Sequence, residues 1–73
     1  MPEIKIVPEV TGRVCATPVQ VGGTLADGDD VVVVEAMKME IPVASPASGT
    51  LKSLLVKIDD LVAEGQAIAI VAN

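Results

Sequence analysis

The sequence contains no Phe, Tyr, Trp or His, a single Cys, and five basic residues against ten acidic ones. Without histidine the chain lacks the usual physiological-pH general base and the commonest metal ligand. A self-contained hydrolase is therefore a poor reading. The net charge of −5 argues against nucleic acid as a partner, because that affinity draws on Lys and Arg neutralising phosphates. One cysteine cannot make an internal disulfide, so no secreted-type framework exists. Cys15 lies in the apolar run Val14-Cys15-Ala16 and reads as a small buried hydrophobe. Arg13 alone is weak support for a reactive thiol. The start, Met1-Pro2-Glu3-Ile4-Lys5, lacks the basic region and apolar stretch of a signal peptide. No apolar run approaches the roughly 20 residues that span a bilayer. A soluble cytoplasmic protein with no membrane partner is expected.

What is present points to strands. Seventy-three residues make one small domain, residues 1–73, of a size that buries only about 60% of its unfolded surface. The apolar share of 51% suffices for a core, and Val plus Ile number 19 against five Leu. β-branched side chains suit a pleated surface better than a helix. Pro2, Pro8, Pro18, Pro42 and Pro46 punctuate the first two-thirds and disfavour helix there. The one helical candidate is Leu51 to Leu61, where apolar spacing is ambiguous. It aligns with a segment containing Pro18 and Val19, and strand is expected.

That alignment is an internal repeat. Residues 10–36 lie without a gap on residues 47–73, at an offset of 37. Gly12 falls on Gly49, Val14 on Leu51, Val19 on Val56, Ala26 on Ala63, Gly28 on Gly65 and Val34 on Val71. Each half reads as a strand opened by Gly, an apolar-alternating stretch, an acid- and Gly-rich turn, and a strand of Val and Ile. The turns fall at Gly22-Gly23 and Asp27-Gly28-Asp29-Asp30, with counterparts at Asp59-Asp60 and Glu64-Gly65. Two such halves joined by residues 37–46 imply two similar sheets about an approximate two-fold axis. Packed face to face they form a small sandwich or flattened barrel. Solvated turn carboxylates explain Asp27, Asp29 and Asp30, whose spacing is not that of an EF-hand, and no metal is expected.

The four valines Val31–Val34 leave the register open. Ile68 and Ile70 alternate with Ala67 and Ala69, so by the repeat Val31 and Val33 face the core. A two-residue turn at Met37-Lys38 instead pairs Val34 with Ile41 and Val32 with Val43 on one face. Glu35 and Glu40, which should be solvated, then share the other face with Val33. A bulge reconciles the two. Neither Met37 nor Lys38 is a Gly, Asn or Asp, the residues that accept φ > 0 in tight hairpins. Either the turn is longer or it holds mild strain that projects Lys38.

The segment Val33-Val34-Glu35-Ala36-Met37-Lys38-Met39-Glu40 resembles the attachment motif of the biotinyl (biotin carboxyl carrier) family. The likeness extends to Val21-Gly22, Asp27-Gly28, the Pro46-Ala47-Ser48-Gly49 segment and Glu64-Gly65-Gln66, and so covers essentially the whole chain. Gly23 stands where the family often has an acidic residue, and Asp29 where Gln is common. Both lie in a turn away from Lys38.

The resemblance implies an all-β, flattened barrel-sandwich of two four-stranded antiparallel sheets with quasi-two-fold symmetry. It makes Lys38 the residue acylated by a biotin protein ligase, with Glu35, Ala36, Met37, Met39 and Glu40 read by that ligase. It also implies a non-catalytic carrier of biotin between biotin carboxylase and carboxyltransferase partners. An exposed lysine has a pKa of about 10.4, so its neutral form costs roughly 4–5 kcal/mol at pH 7. Nothing in the chain supplies that, and Glu35 and Glu40 favour the charged amine; the ligase must arrange deprotonation. The closest alternative is lipoate on the same lysine, or acceptance of both groups. Lipoyl domains typically place Asp before and Ala after the lysine, and Met37 and Met39 argue for biotin. An unmodified barrel serving protein interaction is the remaining alternative.

Overall fold

The computed structural model describes residues 3–73. Eight strands follow in chain order: β1 Glu3–Ile6, β2 Gly12–Ala16, β3 Thr24–Leu25, β4 Asp30–Ala36, β5 Met39–Ala44, β6 Gly49–Leu54, β7 Leu61–Val62 and β8 Ala69–Ala72. They form two four-stranded antiparallel sheets, ordered β1-β8-β6-β3 and β5-β4-β2-β7. Among the described residues there is no helix, and so none long and apolar enough to cross a membrane. The all-β expectation holds. The stretch from Leu51 to Leu61 is strand only to Leu54, after which a loop with a turn at Ile58-Asp59 leads into β7.

The registers repeat at the offset of 37 throughout. Val14 pairs with Val34 and Leu51 with Val71; Gly12 pairs with Val62 and Gly49 with Leu25. The equivalence reaches beyond residues 10–36 and 47–73. Ile4 opposite Val71 and Ile6 opposite Ala69 match Ile41 opposite Val34 and Val43 opposite Val32. In pairing terms residues 3–36 correspond to residues 40–73. The loops obey the same relation. Gly28 N–H donates to the Ser45 carbonyl, and Gly65 N–H to that of Pro8. Ala26 N–H donates to the Asp29 carboxylate at 2.9 Å, and Ala63 N–H to Gln66 Oε1 at 3.0 Å. Asp29 thus does in one half what Gln66 does in the other.

Bulges decide which valines are inside. Register shifts fall between Asp30 and Val32 against β5, and between Val14 and Ala16 against β4. An extra residue at a bulge turns the following side chains to the other face. Val31, Val32 and Val34 are all fully buried, while Val33 is only partly so. Ile68, Ala69 and Val71 are fully buried in the other half, with Ile70 partly so. Ile70 and Val33 therefore do not carry the core as simple alternation suggested. Cys15 occupies the bulged position of β2 and is half-buried, not enclosed, its thiol 3.4 Å from the Val33 carbonyl oxygen. Leu25, Leu51, Val14, Ile6, Val43, Val56 and Val62 complete the aliphatic core between the sheets.

Candidate functional site

β4 and β5 form a hairpin whose last pair is Ala36 opposite Met39, leaving Met37 and Lys38 as a two-residue turn. Their φ angles are 53° and 65°. Positive φ at both central residues is the type I′ arrangement, whose twist matches that of the flanking strands. Both residues carry side chains in a region that costs L-residues roughly 1–2 kcal/mol each. Of the two sequence alternatives, the short turn with strain is the one adopted. Met37 is 94% exposed and Met39 64%, so neither methionine fills core. Lys38 is exposed between them. Among the described residues its amine makes no ion pair.

The outer face of this sheet carries a row of charge just behind the turn. Glu35 lies directly opposite Glu40 on one side and Arg13 on the other, and Arg13 lies opposite Leu61. Like charges facing each other across a hairpin repel. Arg13 relieves this from β2: its Nη2 donates to Glu35 Oε1 at 3.0 Å and its Nη1 to Asp59 Oδ1 at 2.6 Å. The guanidinium is held above its ordinary pKa, first by the hydrogen bond to Glu35 and then by the charges of Glu35 and Asp59. Glu40 and Leu61 stay exposed, the latter at 79%.

Of the expected site residues, Glu35, Ala36, Met37, Lys38, Met39 and Glu40 share one hairpin end, with Glu35 half-buried beneath Arg13. Arg13 and Asp59 were not read from the sequence as part of this site. The repeat held the signal: Arg13 aligns with Thr50, Glu35 with Ala72 and Asp59 with Gly22. All three charges stand where the other half has none. A shallow groove of about 300 Å³ runs beside β5, lined by Val7, Glu9, Ile41, Pro42, Val43 and Ala44, away from the turn.

An exposed primary amine on a projecting turn suits covalent attachment of a cofactor through an amide. Comparison with known proteins identifies the family. The family described as "Biotin-requiring enzyme" matches residues 3–71. The chain is 33% identical over 64 residues to the biotinylated protein TB7.3 homolog of Mycobacterium leprae, covering 88% of this chain and 90% of that one. It is 32% identical over 65 residues to the biotin/lipoyl attachment protein of Bacillus subtilis, covering 89% of each. The urea carboxylase structure of Kluyveromyces lactis superposes with a TM-score of 0.94 and 32% identity, over 99% of this chain and 6% of that polypeptide. The fold, the amine-bearing turn and these matches lead to one assignment: the chain belongs to the biotin/lipoyl attachment family, whose cofactor is biotin bound covalently to a lysine.

Proposed function

We propose that this protein is a biotin carboxyl carrier whose Lys38 is the attachment point. The observation that carries the reading is the exposed Lys38 at the tip of the β4–β5 turn, between Met37 and Met39. The neutral amine of Lys38 attacks the acyl carbon of biotinyl-adenylate on a biotin protein ligase. The amide C–N bond forms, the acyl–phosphate bond breaks with AMP leaving, and the amine's proton passes to a base on the ligase. The chain offers no such base beside Lys38, whose amine makes no ion pair among the described residues. It is a substrate of the ligase and does not modify itself. Glu35, Ala36, Met37, Met39 and Glu40 are the residues the ligase reads. Once attached, biotin carries a carboxyl group between a biotin carboxylase and a carboxyltransferase, and the domain raises its effective concentration at each.

Lipoate on the same lysine is the second reading, favoured by the name of the Bacillus relative, which couples both cofactors. Intact-mass measurement after co-expression with a biotin protein ligase tests the two. One biotin increment, lost in Lys38→Ala, is expected. An unmodified mass, or a lipoyl increment from a lipoyl ligase with none from the biotin ligase, overturns the proposal.

A further inference from the structure

We propose that Arg13 is a positioning residue for the modification of Lys38, acting through Glu35; this rests on Lys38 being the attachment point. Arg13 does not belong to the hairpin. It reaches the hairpin from β2, and its two guanidinium arms take carboxylates from different elements, Glu35 on β4 and Asp59 in the loop before β7. A fork anchored on both sides is fixed in direction, which a lone surface ion pair is not. Glu35 is thereby paired across the sheet with β2, on the side opposite Glu40. One carboxylate beside the hairpin is held at a set place, while Glu40 and the Lys38 amine keep no ion-pair partner among the described residues.

The internal symmetry supplies an independent argument. The two halves share strand registers, the bulge of β2 repeated in β6, and turn hydrogen bonds, so most of what the frame needs appears twice. Gly12 and Gly49 appear twice, as do the paired turns closed by Asp29 and Gln66. The Arg13–Glu35–Asp59 network appears once. Its counterparts Thr50, Ala72 and Gly22 stand in an equivalent backbone setting without it. The other sheet carries a different cross-strand ion pair, Lys52 with Glu3, so the shared frame does not require these particular charges, and the copy that has them is the one whose strand runs into Lys38.

Steady-state biotinylation by a biotin protein ligase with biotin and ATP tests the idea on the whole chain. The variants are Arg13→Gln, Arg13→Lys, Glu35→Gln and the double variant Arg13→Gln/Glu35→Gln, each checked for its fold by circular dichroism. Arg13→Gln should raise KM for the carrier about fivefold with kcat little changed, as expected for a lost binding-geometry contact. Arg13→Lys, which keeps the charge but not the fork, should fall between. The double variant should be no worse than Glu35→Gln alone, because Arg13 acts only through Glu35. Asp59→Asn, in an exposed turn, should shift KM in the same direction and serves if Arg13→Gln folds poorly. Modification of Arg13→Gln at the wild-type KM overturns the proposal. Losses that multiply in the double variant also overturn it, since Arg13 would then meet the ligase directly. A wild-type chain that takes no biotin overturns the carrier reading itself, which is a separate outcome.

Discussion

The α-carbon of Gly12 lies against the carbonyl oxygen of Glu35, and a methyl group built there would run into that oxygen and come within 2.8 Å of Val34 Cγ1. β2 and β4 approach each other this closely just behind the lysine turn. Gly49 stands in the same relation to the carbonyl oxygen of Ala72. Neither obstacle is a flexible side-chain end. Gly12→Ala and Gly49→Ala should each cost about 1–3 kcal/mol, the range for forced overpacking. Urea unfolding followed by far-ultraviolet circular dichroism measures this, and unchanged midpoints would contradict the close approach.

A different pair of glycines should behave differently. Gly28 and Gly65 have φ of 91° and 83°, yet nothing lies within 4 Å of a methyl group added at either. Alanine there meets only the backbone penalty of the left-handed region, roughly 1–2 kcal/mol. Because the two turns are closed by matching hydrogen bonds, the two substitutions should cost equal amounts. A clear inequality in urea midpoint would show that the halves are not energetically equivalent.

The lysine turn should be less stable than its shape allows. Met37 and Lys38 both hold positive φ, where Asn-Gly is favoured. Lys38→Gly removes one penalty of about 1–2 kcal/mol while adding roughly 0.5–1 kcal/mol of chain entropy cost. A small net gain in stability is expected, larger when combined with Met37→Asn. Denaturation midpoints should rise while the biotin increment disappears from the mass of every variant lacking Lys38. A fall in stability on Lys38→Gly would mean that the turn holds no strain.

Leu51 is fully buried between the sheets, in a core with no aromatic side chain. Leu51→Ala should cost about 2–5 kcal/mol. That is a large part of what a domain of this size possesses, since natural domains hold only about 5–15 kcal/mol in total. The expected outcome is a chain largely unfolded in mild urea that is also a poor ligase substrate, read by circular dichroism and intact mass together.

Much of this was legible in the sequence, for identifiable reasons. Val and Ile content, the glycine pairs and the offset of 37 are local or periodic signals, and they carried the strand assignment and the sheet symmetry. Lys38 was legible because its neighbours are distinctive. Val33 and Ile70 were misleading because alternation assumes an unbroken ladder. A bulge leaves no mark on composition, and four identical valines hide it further. Arg13 was overlooked because its partners lie 22 and 46 residues away, and only the topology brings them together. The segment from Leu55 to Ile58 was read as strand because its apolar residues fit either form, although the turn at Asp59-Asp60 was expected; Leu55 and Ile58 are in fact exposed.

The pairing scheme also bears on how the chain folds. Among the described strand pairs, only β4 and β5 are neighbours in sequence; every other ladder joins segments separated by intervening strands. Loop-closure entropy therefore makes the β4–β5 hairpin the least costly contact to form first, while the remaining ladders must wait for distant segments to meet. The strained two-residue turn also fixes which valine faces which partner, so a chain that begins there begins in register. The hairpin that projects Lys38 is then also the natural starting point from which the barrel assembles.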